Sequence, residues 1–156
     1  MQDPRITRLA QVLIGHSTRL QGGEKLLIEA IDAPPEIVIA LIREARRVGG
    51  IPVVTLKSNQ ILRELYREAT QEQMQFIGEY ELYRMKRVDA YIGIRGSWNI
   101  AELSDVPSVK MQLYQRYWLA PVHLQQRVPH TKWVVLRWPT PSMAQQAEMS
   151  TEGFEQ

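Results

Sequence analysis

The sequence contains no cysteine, so the protein can form neither disulfide bonds nor thiolate ligands for a metal ion. It also has no apolar run near the roughly 18 residues that a membrane-spanning helix needs. The opening segment, MQDPRITRLA, lacks the apolar core of a secretion signal. These absences predict a soluble, cytoplasmic protein that has no contact with a membrane.

A large excess of charge of either sign is missing as well. Nineteen Lys and Arg residues oppose seventeen Asp and Glu residues, which gives a formal net charge of +2. So small an excess does not indicate nucleic acid as a partner, although the pI is about 9.0. With 156 residues, of which 44% are hydrophobic, the chain is long enough for one domain with a substantial core.

The usual catalytic and metal-binding patterns are also lacking. The chain has three histidines, His16, His123 and His130, and none belongs to a His-Glu-x-x-His motif or to an i, i+4 pair. No Gly-x-Ser-x-Gly motif supplies a nucleophile. We therefore predict no catalytic residue and no metal ligand in this chain, and we interpret the three histidines as solvated or core-edge side chains.

Four short apolar runs have the length of β-strands, at residues 25–31, 51–56, 89–95 and 131–136. The first, KLLIEAI, is nearly continuous, as expected for a strand that is covered on both faces. Amphipathic helical patterns separate the four runs. This order predicts an α/β fold in three layers, with a mostly parallel sheet of four or five strands and helices on both faces, in a single domain of residues 1–156.

Local signals predict where several helices begin and end. Asp3 and Pro4 indicate the start of the first helix, and apolar residues at helical spacing extend it to about Leu20. Asn59 is predicted to cap the helix after the second strand. Thr70 begins a capping box and is predicted to cap the helix that follows.

Aromatic side chains recur at helical spacing in two of the predicted helices. The helix after the Thr70 cap is predicted to bury one face, made of Phe76, Ile77, Tyr80 and Tyr83. A later helix is predicted to pack Tyr114 and Trp118 into the core and to kink or break at Pro121. Trp98 and Trp138 are harder to bury, and we consider them candidates for an interface.

The loop after the third strand is the candidate ligand site. Residues 93–99 read Gly-Ile-Arg-Gly-Ser-Trp-Asn between a predicted strand and a helical turn, where backbone N–H groups can bind an anion. Ligands of parallel sheets bind at the carboxyl ends of the strands. We therefore predict that Arg95, Gly96 and Asn99 bind a small anionic ligand, with Arg95 as the carboxylate clamp.

A plainer interpretation of this loop remains open. The segment lacks the full Gly-x-Gly-x-x-Gly spacing and a P-loop lysine, which favours a plain tight turn over a nucleotide site. Arg95 would then be a surface arginine that forms an ion pair with Glu102 or Asp105.

A series of local motifs points to a known family. The C-terminal motif, residues 133–156, runs from a Trp-led strand through Pro-Thr-Pro to Ala144-Gln145, Ala147, Met149-Ser150 and Phe154-Glu155. Earlier motifs are Asp3-Pro4-Arg5, Gly23-Glu24-Lys25 and DAYIGI at 89–94, followed by Gly96 and Asn99. Together they resemble the N-terminal part of the thermophilic-type metallo-aminopeptidases, the family of aminopeptidase T and aminopeptidase S. Gly153 departs from the family pattern, which usually has an acidic residue there, and this departure removes the capping-box partner of Ser150.

The resemblance implies a metal-dependent hydrolase that removes N-terminal amino acids from peptides. It implies two divalent ions, Co, Zn or Mn, held by a C-terminal domain outside this chain, and a homodimer in the full-length protein. Residues 1–156 would be the N-terminal scaffold domain, with a final helix after Ser150 that is cut short. No ligand motif of the family occurs in the chain, so we expect it to carry no cofactor and to be inactive alone.

Two other functions remain open from the sequence. The chain could be a free-standing α/β module that binds a small anionic ligand at the Gly93 to Asn99 loop. It could also be a structural or interaction domain that associates with itself or with a partner and binds no small ligand.

Overall fold

The sheet of this protein has four strands, all parallel, in the order β2-β1-β3-β4. We analysed a computed structural model, which describes residues 3–156. The strands are β1 (Lys25–Ile31), β2 (Ile51–Lys57), β3 (Ala90–Arg95) and β4 (Lys132–Arg137). They agree with the four apolar runs to within one residue at each end, so the predicted parallel α/β fold is confirmed.

Helices precede, connect and follow these strands. They are α1 (Pro4–Val12), α2 (Pro35–Arg47), α3 (Asn59–Arg67), α4 (Gln71–Met85), α5 (Ser108–Tyr114), α6 (Val128–His130), α7 (Pro141–Gln146) and α8 (Thr151–Phe154). Two π-helical segments continue α1 and α5, namely π1 (Leu13–Ser17) and π2 (Gln115–Arg127). None of the helices within residues 3–156 is both long and apolar enough to cross a membrane.

Each face of the sheet is covered by its own hydrophobic core, because successive side chains of a strand point to opposite faces. On one face Leu26 and Ile28 of β1 pack with α1, π1 and α2. On the other face Leu27 and Ile31 of β1 pack with α3, α4 and π2. Strand β1 is therefore buried on both faces, which explains its nearly continuous apolar sequence.

The first helix ends earlier than predicted. Helical structure stops at Ser17, because the hydroxyl of Thr18 donates to the carbonyls of Leu13 at 2.9 Å and Ile14 at 3.2 Å. Arg19 then adopts a left-handed conformation, with φ of 46°, which turns the chain away from the helix axis. The prediction of a helix to about Leu20 was wrong by one turn.

The buried face of α4 was predicted correctly only for Ile77. The other three predicted core side chains are exposed, Phe76 by 66%, Tyr80 by 53% and Tyr83 by 62%. Phe76 and Tyr80 contact each other edge to face on the surface, with ring centroids 5.5 Å apart. The aromatic stripe of α4 therefore faces solvent.

Gly78 determines which face of α4 packs inward. A Cβ atom at Gly78 would lie 1.9 Å from the carbonyl oxygen of Tyr117 in π2, so only glycine permits this approach of the two backbones. The buried residues of α4 lie around Gly78 at helical spacing, and they are Met74, Ile77, Gly78, Glu81 and Met85. Close backbone packing, and not the aromatic stripe, thus orients the helix.

Pro121 does not break its helix, so of the two predicted outcomes, a kink or a break, the break is wrong. It lies inside π2, where the wider helical turn continues past a residue that has no N–H to donate. The predicted core positions are confirmed, since Trp118 is buried and its ring lies 5.3 Å from that of Tyr114. Of the two interface candidates, Trp98 is exposed, whereas Trp138 packs against the α1–α2 core.

The predicted helix caps are confirmed in three places. Asp3 accepts from the N–H of Arg5 at 2.9 Å, Thr70 from Gln73 at 3.1 Å and Ser150 from Gly153 at 3.1 Å. Ser150 starts α8 through this bond alone, because Gly153 carries no side chain that could return a second one.

Candidate ligand pocket at the carboxyl edge of the sheet

A cavity of about 210 Å³ lies at the carboxyl ends of β1, β2 and β3, on the side covered by α3, α4, α5 and π2. The strand order reverses here, between β1 and β3. From β1 the chain continues to β2 toward one edge of the sheet, and from β3 it continues to β4 toward the other edge. This is the position at which open parallel sheets usually bind ligands. The cavity is therefore the candidate functional site.

The strand register brings three charged residues to this cavity. Ile31 of β1 pairs with Lys57 of β2 and with Arg95 of β3, so these three residues lie side by side on one face of the sheet. Glu29 lies two residues before Ile31 and therefore points to the same face. Two cations and one carboxylate thus share the carboxyl edge of neighbouring strands.

Glu29 is the centre of this charge cluster and is only 4% exposed. Its Oε1 accepts from the Tyr91 hydroxyl at 2.9 Å and lies 3.8 Å from Arg95, and its Oε2 lies 3.2 Å from Nζ of Lys57. Burial raises the pKa of the Glu29 carboxyl. The positive charges of Lys57, Arg127 and Arg95, together with the Tyr91 hydroxyl, outweigh that effect and hold the pKa below its ordinary value.

Lys57 connects the sheet to the helices above it. Besides Glu29, its ammonium group contacts Oε1 of Glu81 in α4 at 2.8 Å and lies 4.9 Å from the centre of the Trp118 ring. The indole N–H of Trp118 donates to the other oxygen of Glu81 at 2.7 Å. Both carboxylates are thus bonded, as buried acids must be.

Arg127 and His123 form the π2 side of the cavity. Arg127 is 4% exposed, and its guanidinium lies over the Tyr91 ring, 3.6 Å from the centre. One of its terminal nitrogens lies 3.1 Å from Nδ1 of His123. A guanidinium only donates, so Nδ1 accepts, and the neutral imidazole carries its proton on Nε2. Burial, Arg127 and Arg95 lower the pKa of His123.

Tyrosine side chains close the cavity on its apolar side. The rings of Tyr66 and Tyr114 lie 4.6 Å apart, and both residues line the cavity. Burial raises the pKa of each of these phenols and that of Tyr91, whose pKa the neighbouring Glu29 raises further. The three hydroxyls therefore stay protonated at neutral pH and act as hydrogen-bonding groups.

Two of the three residues predicted to bind an anion lie at this cavity. Arg95 and Gly96 line it, whereas Asn99 is not among the lining residues. The side chain of Asn99 instead accepts from the N–H of Ala101 at 3.0 Å and closes a local turn. Binding of an anion by Arg95 and Gly96 therefore stays a prediction, and Asn99 does not reach the cavity.

Gly96 cannot offer its backbone N–H to a ligand, because that group donates to the carbonyl of Ile31 at 2.7 Å. The glycine is required for a different reason, since a Cβ atom there would lie 2.2 Å from the carbonyl oxygen of Asp32. Its function in the fold is to let the loops after β1 and β3 approach each other. An anion would have to be bound by side chains.

Arg95 does not form either ion pair that the plainer interpretation proposed. Asp105 bonds to Arg63, and Arg95 approaches Glu29 and donates to the Tyr91 hydroxyl at 3.1 Å. The guanidinium is therefore directed along the sheet toward the cavity. Its side chain is 36% exposed, so it lies between the solvent and the buried charges.

Asn59 has a different role from the predicted cap. Ser58 occupies the cap position of α3, and the N–H and side-chain amide of Asn59 donate to Oδ2 of Asp32 at 3.2 and 2.8 Å. The amide also lies 3.2 Å from the carbonyl of Gly96. Because Asp32 already supplies the acceptor at the start of α3, Asn59 can join the ends of β1, β2 and β3.

Sequence reasoning missed four charged residues of the cavity, namely Glu29, Lys57, Glu81 and Arg127. One of them carried a usable signal. Glu29 is the only charged residue between Leu26 and Ile31, and an acid inside a buried strand needs a cationic partner. The partners themselves come from β2, α4 and π2, and only the folded structure brings them together.

The side chains in the described part of the chain do not fit a metal ion. Within residues 3–156 no three His, Asp or Glu side chains lie close enough to share one. His16 and His130 lie on π1 and α6, and neither lines the cavity with His123. The two carboxylates at the cavity, Glu29 and Glu81, both contact the ammonium group of Lys57, and Arg127 and Arg95 add positive charge near Glu29 that would repel a metal ion.

Fold and cavity together define a three-layer α/β domain with a charged pocket at its topological switch point. A family model described as thermophilic metalloprotease (M29) matches residues 2–156, and the chain belongs to this family. The resemblance drawn from the local motifs is thereby confirmed. No curated protein matches the chain.

One solved structure supports the fold. Aminopeptidase T (AmpT) from Thermus thermophilus aligns with a TM-score of 0.74 at 18% identity, over 97% of this chain and 41% of that protein. A CurK enoyl reductase aligns with a TM-score of 0.40 at 16% identity, over 92% of this chain and 44% of that one. The chain thus spans less than half the length of AmpT, with which it shares its fold.

Proposed function

We propose that this chain is the N-terminal α/β scaffold domain of a metal-dependent aminopeptidase that removes N-terminal amino acids from peptides. The observation that carries the proposal is the fold match to AmpT, which includes nearly the whole of this chain but 41% of that protein. Membership of a metalloprotease family over residues 2–156 supports it. The chain is then one folding unit of a larger enzyme.

In this proposal the metal centre belongs to a part of the enzyme outside this chain. Two divalent ions, Co, Zn or Mn, are expected there from the family resemblance, and they would supply Lewis-acid activation of a water for hydrolysis. The side chains within residues 3–156 support a metal centre outside the chain. No three potential metal ligands lie together among them, and the charged cavity favours anions over cations. The contribution of the chain is structural, and it has no peptidase activity alone.

The surface that packs against the metal-binding part is proposed to be the β2 edge with α3 and α4. Large apolar side chains are exposed there, and they include Leu56, Ile61, Phe76, Tyr80 and Tyr83. Contiguous exposed apolar surface is typical of contact regions between domains. We further propose that the full-length enzyme is cytoplasmic, in keeping with the absence of cysteine. From the family resemblance we also propose that it is a homodimer.

Hydrolysis of unblocked aminoacyl-anilides tests the proposal. The 156-residue chain and the same chain extended by the coding sequence that follows it are assayed with added Co²⁺, Zn²⁺ or Mn²⁺, and AmpT serves as the positive control. We expect activity from the extended protein and from AmpT, and none from the chain alone. Metal-dependent hydrolysis by the chain alone would overturn the scaffold assignment.

A further inference from the structure

We propose that the cavity at the carboxyl edge of the sheet binds the carboxylate group of a small monoanion between the guanidinium groups of Arg95 and Arg127. Both groups contact the same side chain, since Arg127 lies 3.6 Å from the centre of the Tyr91 ring and Arg95 donates to the Tyr91 hydroxyl at 3.1 Å. Both arginines also line the cavity, so a single small ligand there can contact both. This site does not depend on the proposed peptidase function.

Unused hydrogen-bond donors on Arg127 are the first observation that points to a ligand. A guanidinium has five N–H donors, and a buried one normally has a carboxylate partner. Arg127 is 4% exposed, yet among residues 3–156 it forms no ion pair, and its recorded hydrogen bond is to the neutral His123. Its Nε is buried without any partner. A ligand carboxylate would supply the missing acceptor.

Arg95 also has spare donors. It donates one hydrogen bond, to Tyr91, and its second terminal nitrogen lies 3.8 Å from Glu29, which is too far for a hydrogen bond. The side chain is 36% exposed at the mouth of the cavity. It can therefore turn to a ligand without leaving Glu29 uncompensated, because Lys57 remains bonded to that carboxylate at 3.2 Å.

The charges of the cavity select an anion with a single negative charge. Three cationic side chains line it, Lys57, Arg95 and Arg127, against the two carboxylates of Glu29 and Glu81. The three positive charges exceed the two negative charges by one, and because Lys57 contacts both acids, we assign this excess positive charge to the two arginines. One carboxylate neutralises it and matches the planar guanidinium fork, whereas a phosphate dianion would overcompensate.

The size and the walls of the cavity limit the rest of the ligand. Its volume of about 210 Å³ is below the roughly 300–1,000 Å³ of typical small-molecule pockets, so the ligand is short. Apolar side chains from the sheet, the helices and the segment after β3 also line the cavity, among them Ile31, Leu62, Leu103, Met111 and Val122. A carboxylate with a short branched aliphatic tail combines the two requirements, and 4-methylpentanoate is a suitable probe.

Isothermal titration of the folded chain with 4-methylpentanoate tests the site. The matched ligand control is 4-methylpentanamide, which keeps the tail and loses the charge. The variants are Arg95→Gln and Arg127→Gln, with Arg137→Gln as the control. Arg137 pairs with Arg95 across β3 and β4 but is not among the residues that line the cavity. Arg95→Gln keeps the test valid if Arg127→Gln does not fold, because Arg95 is partly exposed.

We expect the acid to bind the wild-type chain and the Arg137→Gln variant equally. Binding of the amide, and of the acid to the Arg95→Gln and Arg127→Gln variants, should be weaker by about tenfold or more. Equal binding of acid and amide would overturn the proposal. So would tighter binding of inorganic phosphate than of the acid, an equal loss in Arg137→Gln, or no binding at concentrations on the order of 10 mM.

Discussion

The hydroxyl of Tyr91 donates to Oε1 of Glu29 at 2.9 Å and joins the two central strands beneath the pocket. The same hydroxyl accepts from Arg95 at 3.1 Å, so the three side chains form a directed chain from the cavity mouth to the buried carboxylate. The bond connects residues that are 62 positions apart in the sequence. It holds the charges of the site in place and contributes to the stability of the sheet.

Replacing Tyr91 with Phe should destabilise the fold. The variant leaves Glu29 with a longer and weaker contact to Arg95, and it removes the acceptor that Arg95 now uses. Hydrogen bonds to charged buried groups are worth about 1.5–3 kcal/mol, and we expect a loss of that size in the free energy of unfolding. Urea denaturation measures it. Tyr83→Phe, at an exposed position, should change stability by less than about 0.5 kcal/mol, and equal effects would contradict the account.

Replacing Gly78 with Ala should separate α4 from π2. The new Cβ would overlap the carbonyl oxygen of Tyr117, which is backbone and cannot rotate away, so we expect a loss of about 1–3 kcal/mol or more. Gly15→Ala in π1 is the matched control, because no atom lies within 4 Å of a Cβ there. The control should be neutral or stabilising by up to about 1 kcal/mol in thermal denaturation. A neutral Gly78→Ala would disprove the close approach.

The stability of the protein should fall in acid partly through Glu29. Burial raises the pKa of this carboxyl. The positive charges of Lys57, Arg127 and Arg95 lower it by a larger amount, so the folded-state pKa lies below the ordinary value of 4.5. The unfolded chain then takes up the proton at the higher pH. The stabilisation by Glu29 is complete above pH 4.5 and is lost as the pH falls through the folded-state pKa.

Urea denaturation of the wild-type chain and of Glu29→Gln, from about pH 7 to about pH 3, measures this dependence. The wild-type chain should be more stable at neutral pH, and the difference from the variant should shrink on acidification. A difference that stays constant over this range would mean that Glu29 has the same pKa in the folded and unfolded states.

The orientation of α4 can be tested with two truncations of apolar side chains. Phe76→Ser removes a ring that is 66% exposed, so it should change the free energy of unfolding by no more than about 0.5 kcal/mol. Met74→Ala creates a cavity in the α3–α4 core and should cost about 2–5 kcal/mol. Similar losses in the two variants would mean that the helix is rotated toward its aromatic stripe.

The elements that sequence reasoning located share a strong local signal. Residues 25–31 are buried on both faces, and a continuous apolar run of that length indicates such a strand directly. The caps at Asp3, Thr70 and Ser150 are likewise local, since each bond joins residues two or three positions apart. Such features need no knowledge of the tertiary structure.

What the sequence did not reveal depends on contacts between distant elements. The aromatic residues of α4 have the spacing of a buried face, but the approach of π2 at Gly78 turns the other face inward. The cavity is similar in this respect. Glu29, Lys57 and Arg127 meet only because the strand order puts β1 between β2 and β3 beneath π2, and that order cannot be read from the sequence.

We proposed that this chain serves a larger aminopeptidase as a scaffold and that the metal centre lies outside it. Metal content after equilibrium dialysis against Co²⁺, Zn²⁺ or Mn²⁺ tests it most directly, with AmpT as the control for binding. The account predicts that the 156-residue chain retains no stoichiometric metal. One or two ions retained per chain, and lost in a His123→Ala variant, would contradict the account and would make the cavity a metal site.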